Sequence, residues 1–363
     1  SSLEEWIKYI DLLHEDKELR ERIGKEARRD MEENYHVSKR ALEMLEVING
    51  KPKIRAKDQR RVWLPPIAGG PRTFHDTLEK YLPIVSSEKM VVTNVLDKSV
   101  ESAIVVAFIG AEEVAKAKEK NPELKVISRV DGLPFKMEDG SVDLNQVKIM
   151  IDIMAKADLV VYQSAFAKKA WEPYFKIDKQ SIIIPNGVDL EIFKPEGEKF
   201  PLDQDRINIV QTNASTFKHK RIDLLEDIIK SSIENKNLHF TLVGYYLDAS
   251  IINDMEKWGV YPNVTYLGPI DHSKAGREMM ASIFRAADAL LFTSNHEGCS
   301  NVSLEAIACG LPIIYNAETN LMEEVCGEFA FGFKGTKECI NIFKNWDIQY
   351  IEKIIKPKYK ELA

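Results

Sequence analysis

The stretch "ADALLFTSNHEGCSNVSLEAIACGLPII", residues 287–314, decides the fold. Its opening is a continuous apolar run without alternation, which a strand covered on both faces requires. "HEGCSNV" is then the loop at that strand's carboxyl end. Ser300 or Asn301 can cap a following helix, Gly310 suits a helix C-cap and Pro312 stops continuation, so a helix is predicted over 302–309. "PII" begins another strand. Strand, loop, helix and strand in this order make one βαβ unit of a parallel sheet, and open sheets of that kind place ligands at the carboxyl edge of their strands.

The same alternation extends outward from this unit. "RVWLPPI", "MVVTNVL", "SAIVV", "LKVISRV", "DLVVYQ" and "SIIIPNG" read as strands with helical patterns among them, and "INIVQTN", "LHFTLVGYY", "NVTYLGPI", "ALLFTSN" and "PIIYN" form a second series. Between the two series "LEIFKPEGEKFPLDQD", residues 190–205, has two prolines and no periodicity. Residues 3–48 read as helices, with Leu3, Trp6, Ile7, Ile10 and Leu13 at helical spacing, and the basic "KPKIRAKDQRR" follows as a linker. The expected organisation is α/β: a helical leader over 1–50, a linker over 51–60, two Rossmann-like domains with parallel sheets over 61–195 and 196–335, and C-terminal helices over 336–363.

A chain of 363 residues suits two such domains, and 44% hydrophobic with 29% charged residues is ordinary for a globular protein. The net charge of -7 gives no general attraction to nucleic acid or anionic lipid. Cys299, Cys309, Cys326 and Cys339 form no CxxC pair and no metal spacing, as expected of reduced thiols in a cytoplasmic protein. No apolar run is long enough for a membrane span, and "SSLEEWIKYI" lacks the pattern of a signal peptide.

The two glutamates of the quoted stretch differ by position. Glu297 lies in the loop, where it can reach hydroxyls of a bound group, and Gly298 allows close approach of backbone to a ligand. Glu305 lies a turn inside the helix, where it can accept two hydrogen bonds from a vicinal diol such as a ribose. The free N–H groups of the helix start favour an anion such as a diphosphate. On spacing alone, a surface glutamate and a helix glutamate with no site between them is the plainer reading.

Other segments change that balance. Glu297-GCSNVSL-Glu305 followed by "AIACGLPII" resembles the donor-site signature of retaining family 4 glycosyltransferases, the EX7E motif of two glutamates separated by seven residues. "IIIPNGVDLEIFKP" (182–195), "DLVVYQSAFAKKAW" (158–171), "AGGPRTFHDTL" and "FKHKRIDLLEDII" (217–229) resemble further segments of these enzymes, in the same order, over about residues 61–335. The resemblance implies a GT-B fold, two facing Rossmann-like domains, with the acceptor side on the first and a nucleotide-diphosphate sugar on the second. It implies transfer of the sugar to a hydroxyl of a saccharide, glycolipid or protein glycan, with no metal and no cofactor beyond the donor. The family's phosphate-loop basic residue maps to Lys220, with Lys218 as the alternative. Cys299, Ser300, Asn301 and Val302 would line the diphosphate with Gly298. The family usually has Arg in this loop and Gly after the Lys; here Arg221 replaces that Gly, so either Arg221 supplies the missing charge or the loop is reshaped.

On the other side of the expected cleft, Gly69 and Gly70 can admit a phosphate or acceptor, or simply make a tight turn. Where relatives place His or Asp, "SRVDGLPF" places Arg129 and Asp131; Asp131 can orient an acceptor hydroxyl and Arg129 an anionic group, or the two can pair to fix a loop. His75 inside a helix is read as structural, and the "DQD" of 203–205 sits in the interdomain linker and is rejected as a metal site. Lys168, Lys169 and Lys176 interleave with Trp171, Tyr174 and Phe175, either as a peripheral membrane or lipid-acceptor edge at the inner membrane face or as an ordinary amphipathic helix with its aromatics in the core. The leader 6–48 resembles the closing helices of a family 4 enzyme. Two accounts fit: the tail of a preceding transferase in a longer polypeptide, which we prefer at this point, or a permuted element packed on this chain's own domains. The rival activities for the same cleft are a sugar-nucleotide epimerase, a phosphorylase and a non-catalytic nucleotide-sugar-binding protein.

Overall fold

The computed structural model describes residues 41, 44, 60–66, 70–86, 90–107, 109–136, 139–176, 180–213, 215–247, 250–318, 324 and 330–346. Gly69, Cys326, most of the leader and the end of the C-terminal helices lie outside the described residues.

The first sheet holds β1 (Arg60–Trp63), β2 (Met90–Thr93), β3 (Ser102–Val106), β4 (Lys125–Val130), β5 (Leu159–Tyr162) and β6 (Ser181–Ile183). Its order is β2-β1-β3-β4-β5-β6, and every pairing is parallel. Between its strands run α1 (Gly70–Val85), α2 (Ala111–Lys120), α3 (Leu144–Lys156) and α4 (Ala165–Trp171). β3 and β5 are buried along their whole length, which is why their apolar runs do not alternate. Asp143 caps α3 by accepting from the Asn145 and Gln146 amides, and Ser164 caps α4 by accepting from the Ala167 amide.

The second sheet holds β7 (Ile207–Asn213), β8 (Leu238–Gly244), β9 (Val264–Gly268), β10 (Ala289–Phe292), β11 (Ile313–Asn316) and β12 (Ala330–Phe333). Its helices are α5 (Ile222–Ser231), α6 (Ile251–Trp258), α7 (Lys274–Ala286), α8 (Asn301–Ala308) and α9 (Gly335–Lys344). The order is β12-β11-β10-β7-β8-β9, again wholly parallel. One core layer joins Leu224, Leu225, Ile228 and Ile229 of α5 to Phe240, Trp258 and Phe343. The opposite layer joins Ile283 and Phe284 of α7 to Leu290, Leu304 and Ile307. At the end of β8, Gly244 has φ +114, and a Cβ there would lie 1.8 Å from the Asn213 carbonyl oxygen, so the close pairing of β7 with β8 requires glycine.

The predicted helix after Glu297 is present as α8, capped by Ser300, whose hydroxyl accepts from the Ser303 amide. Gly310 follows it with φ 77, the left-handed conformation expected after a C-cap. The segment leaving β6 packs into the second domain: Val188 and Phe193 share a core cluster with Phe284 and Leu290. Asp189 then bridges the domains, accepting from Tyr81 Oη at 3.4 Å and pairing with Lys80 of α1 at 3.4 Å and Arg277 of α7 at 3.5 Å. Ala41 and Met44, the described residues of the leader, are buried in the first domain's core with Leu78 and Ile104.

Candidate functional site at the switch point of the second sheet

Strand order in the second sheet reverses between β7 and β10. Loops leaving two such strands diverge to opposite faces and open a crevice at their carboxyl ends. The β7 loop makes a short 3-10 turn over Lys218–Lys220, and Arg221 follows with φ 54. The β10 loop runs from Thr293 to Ser300. The two loops are joined at the backbone: the Asn295 amide donates to the His219 carbonyl at 2.9 Å, and Thr293 Oγ1 donates to the Lys220 carbonyl at 2.8 Å. This places Lys220 opposite Glu297, and Lys220 Nζ donates to Glu297 Oε1. Both side chains are 21% exposed, so the pair faces the crevice yet stays in contact with solvent.

Glu305 sits below this pair on α8 with part of its surface accessible. Crowding by protein atoms nevertheless pushes its carboxyl up to about 7, and the Arg277 charge only partly opposes that. Burial also holds the His219 imidazole down at about 4, helped by the neighbouring Lys220 charge, so His219 is neutral near pH 7. The buried Cys309 thiol is pushed up to about 12, and Cys299 and Cys339 are likewise buried. Asn301 and Val302 form the first turn of α8, half-buried.

The other basic residues of the turn take different places. Arg221 adopts the left-handed conformation that a glycine takes without strain. Its guanidinium is engaged by Asp223 at 3.1 Å and Glu318 at 3.0 Å. Lys218 is exposed, and its Cβ packs so close to Gly140 of the first domain that a Cβ there would lie 2.9 Å away.

The first domain meets this loop directly. Arg129, 2% exposed, stacks on the Phe74 ring at 3.9 Å and donates to Asp131 Oδ1 at 2.6 Å. Gln163 Nε2 also donates to Asp131 Oδ1, and Arg129 donates through its other terminal nitrogen to Asn186 Oδ1. Arg129 and Asp131 are thus paired with each other, and Gly132 lies beside Gly298 across the domain boundary. Phe135 inserts its ring between His219 and His296, with centroids 5.1 Å from each. Gly70 is the first residue of α1.

The lysine and aromatic edge is resolved toward the core. Trp171 is wholly buried, Tyr174 and Phe175 pack in the same cluster, and Trp171 Nε1 donates to the Asp131 carbonyl at 3.3 Å. Among the described residues no helix is long and apolar enough to cross a membrane. In "DQD", Asp203 pairs with Arg206 at 3.2 Å. His75 faces Asp76 and Glu79 on its own helix at 3.5 and 4.0 Å. Sequence reasoning passed over Phe135, Gln163, Ser164, Asn186, His219 and His296. Asn186 and Ser164 stood in quoted segments, but a single polar loop residue carries no spacing signal.

Two parallel Rossmann-like sheets facing across these loops are shared with solved structures. Anabaena HepE, solved with UDP and glucose, aligns with a TM-score of 0.60 at 15% identity, over 85% of this chain and 94% of that one. Sucrose-phosphate synthase from Thermosynechococcus elongatus aligns with a TM-score of 0.58 at 18% identity, over 73% of this chain and 69% of that one. The fold is GT-B. Within this GT-B chain, residues 208–333 match the family model described as "Glycosyl transferases group 1". An uncharacterized glycosyltransferase of Methanocaldococcus jannaschii is 25% identical over 158 residues, 44% of this chain. That match spans 40% of the relative's own length. The switch-point loops, with Lys220 and Glu297, lie inside the segment that matches the family model.

Proposed function

We propose that the chain is a glycosyltransferase that moves a sugar from a nucleotide-diphosphate sugar to a hydroxyl acceptor, with retention at the anomeric carbon and without a metal ion. The observation that carries this reading is the meeting of Lys220 and Glu297 at the switch point, immediately before the amino end of α8. The family model over the same segment supports it. So do the UDP complexes of a structural neighbour with the same fold.

The chemistry assigns each group a task. The bond from the anomeric carbon to the β-phosphate oxygen breaks, and the bond to the acceptor oxygen forms on the same face. The acceptor's proton passes to the leaving diphosphate. Negative charge therefore grows on the diphosphate, where the Lys220 ammonium and the positive end of α8 stabilise it. Lys220 is paired with Glu297, which neutralises its charge. When the donor enters, the ammonium turns to the diphosphate and the Glu297 carboxylate is released to the sugar hydroxyls. Glu305 accepts from the ribose diol. Asp131, fixed by Arg129 and Gln163, lies on the acceptor side.

The test is a thermal-shift screen of the full chain with UDP, ADP and GDP, since a ligand of the folded form raises the melting temperature. Incubation with the matching nucleotide sugars, with and without saccharide acceptors and with EDTA, follows. Acceptor-dependent release of the diphosphate, unaffected by EDTA, is expected. Epimerised donor without release would make the chain an epimerase, and release that depends on inorganic phosphate would make it a phosphorylase. Binding without any turnover would leave a nucleotide-sugar-binding protein.

A further inference from the structure

Two consecutive carbonyls of the loop before α8 are held by side chains of the other domain. Ser164 Oγ donates to the Gly298 carbonyl at 2.6 Å, and Asn186 Nδ2 donates to the Cys299 carbonyl at 2.8 Å. Both donors are buried, at 1% and 7% exposure. Their roles are unambiguous. Ser164 Oγ already accepts from the Ala167 amide at 2.9 Å, so its single proton goes to Gly298. Asn186 Oδ1 accepts from Arg129, a group that only donates, so the amide nitrogen must face Cys299. Gly298 admits this contact because it has no side chain: a Cβ would lie 3.0 Å from Gln163 Oε1 and 3.1 Å from the Gly132 amide nitrogen.

A trans peptide points its C=O and the next N–H in opposite directions. Fixing the Gly298 and Cys299 carbonyls toward the first domain therefore turns the Cys299 and Ser300 amides the other way, and with them sets the entry of the chain into α8. We propose that Ser164 and Asn186 are positioning residues for the donor's diphosphate. They couple closure of the two domains to the shape of the loop that receives it. This rests on the donor reading above and adds the residues that set the anion affinity from outside the donor domain. Arg129 is part of the same device, because it holds Asn186 in the donating orientation.

The experiment measures binding of UDP, ADP and GDP and of the corresponding nucleosides to the full chain, for the wild type and for Asn186→Asp, Ser164→Ala and Ser164→Thr. Asn186→Asp keeps an acceptor for Arg129 but cannot donate to Cys299. A lost buried hydrogen bond predicts about tenfold weaker binding of the diphosphate that the wild type prefers. Affinity for the matching nucleoside, which has no anion, is expected to be unchanged in that variant. Ser164→Ala is expected to behave alike, and Ser164→Thr, which keeps the hydroxyl, to restore diphosphate binding. Equal losses for diphosphate and nucleoside would show a merely structural role and overturn the proposal, as would Asn186→Asp binding the diphosphate as the wild type does. If the wild type binds no nucleoside diphosphate, the donor reading itself falls and this proposal falls with it.

Discussion

Replacing Glu305 by glutamine should remove one pH-dependent loss of stability, so that the variant gains on the wild type as pH rises from 4.5 to about 7. The folded carboxyl titrates at about 7 against an ordinary 4.5, because burial penalises its charge. The sign follows from linkage. Below pH 4.5 the group is protonated in both states and costs nothing. As pH rises, the unfolded chain releases the proton first, and stability drains away until the folded carboxyl also ionises near 7. One pKa unit is worth about 1.4 kcal/mol, so the loss between pH 4.5 and pH 8 reaches about 3 kcal/mol. Glu305 keeps some accessible surface, which makes that figure a ceiling. The groups facing it are Arg277, which favours its charge, and the Cys309 thiol, whose own ionisation it opposes. Urea unfolding at pH 5, 6, 7 and 8, followed by fluorescence of the buried Trp258, measures the effect. Glu305→Gln should gain on the wild type as pH rises, and Arg277→Met should extend the decline to higher pH. A ribose diol bonded to the carboxylate favours its charge, so donor binding near pH 7 should release protons, seen as a buffer-dependent heat. Parallel pH profiles for wild type and Glu305→Gln would refute the reasoning.

Lys220→Met removes the cation that the proposed reaction assigns to the leaving diphosphate, and turnover is expected to fall on the order of 10²-fold with the fold retained, as read by steady-state release of nucleoside diphosphate. Gly244→Ala puts a Cβ 1.8 Å from the Asn213 carbonyl oxygen at a φ of +114; destabilisation on the order of 4 kcal/mol or more is expected by chemical denaturation. Gly298→Ala sets a Cβ 3.0 Å from Gln163 Oε1 and 3.1 Å from the Gly132 amide nitrogen. That overpacking should cost about 1–3 kcal/mol and weaken nucleoside diphosphate binding in a thermal-shift titration. Asp189→Ala strands Arg277 and Lys80 at the domain crossing, and a loss of about 2 kcal/mol is expected, discounted because Lys80 is half exposed; calorimetry checks it.

The parts of the fold that depend on short-range chemistry were legible in the sequence. β10 reads as a strand because Ala289–Phe292 are buried on both faces, and α8 reads as a helix because Ser300 caps it and Gly310 closes it. β12 was not legible: Ala330–Phe333 contains a glycine and is too short to show a period. That Lys220 and Glu297 belong to one site was expected only through the family resemblance, since their sequence separation is 77; their direct contact was not expected. Phe135, Ser164 and Asn186 belong to the same class of long-range contact, with no repeat or spacing to announce them. Arg221 shows the limit of pattern matching. The family usually has a glycine there; the arginine takes the left-handed conformation, and its charge goes to Asp223 and Glu318.

Under the proposed function, the position of Lys220 poses a physical problem that Glu297 solves. An ammonium held ready for a diphosphate in a crevice is costly to keep there without a counter-charge, because burial strips its water. A fully buried partner would relieve that cost but would lock the pair, since separating two desolvated charges is expensive. At 21% exposure on each side the pair is neutralised yet remains in contact with water. Breaking such a pair costs about 1 kcal/mol or less. A diphosphate, which offers several charge-assisted acceptors, more than replaces it. In the proposed reaction the freed carboxylate is then beside the incoming sugar, so a single exchange of partners readies both groups. That exchange requires the two loops to stay in register while the partners change, and the Asn295–His219 and Thr293–Lys220 backbone contacts hold them so without using either functional side chain.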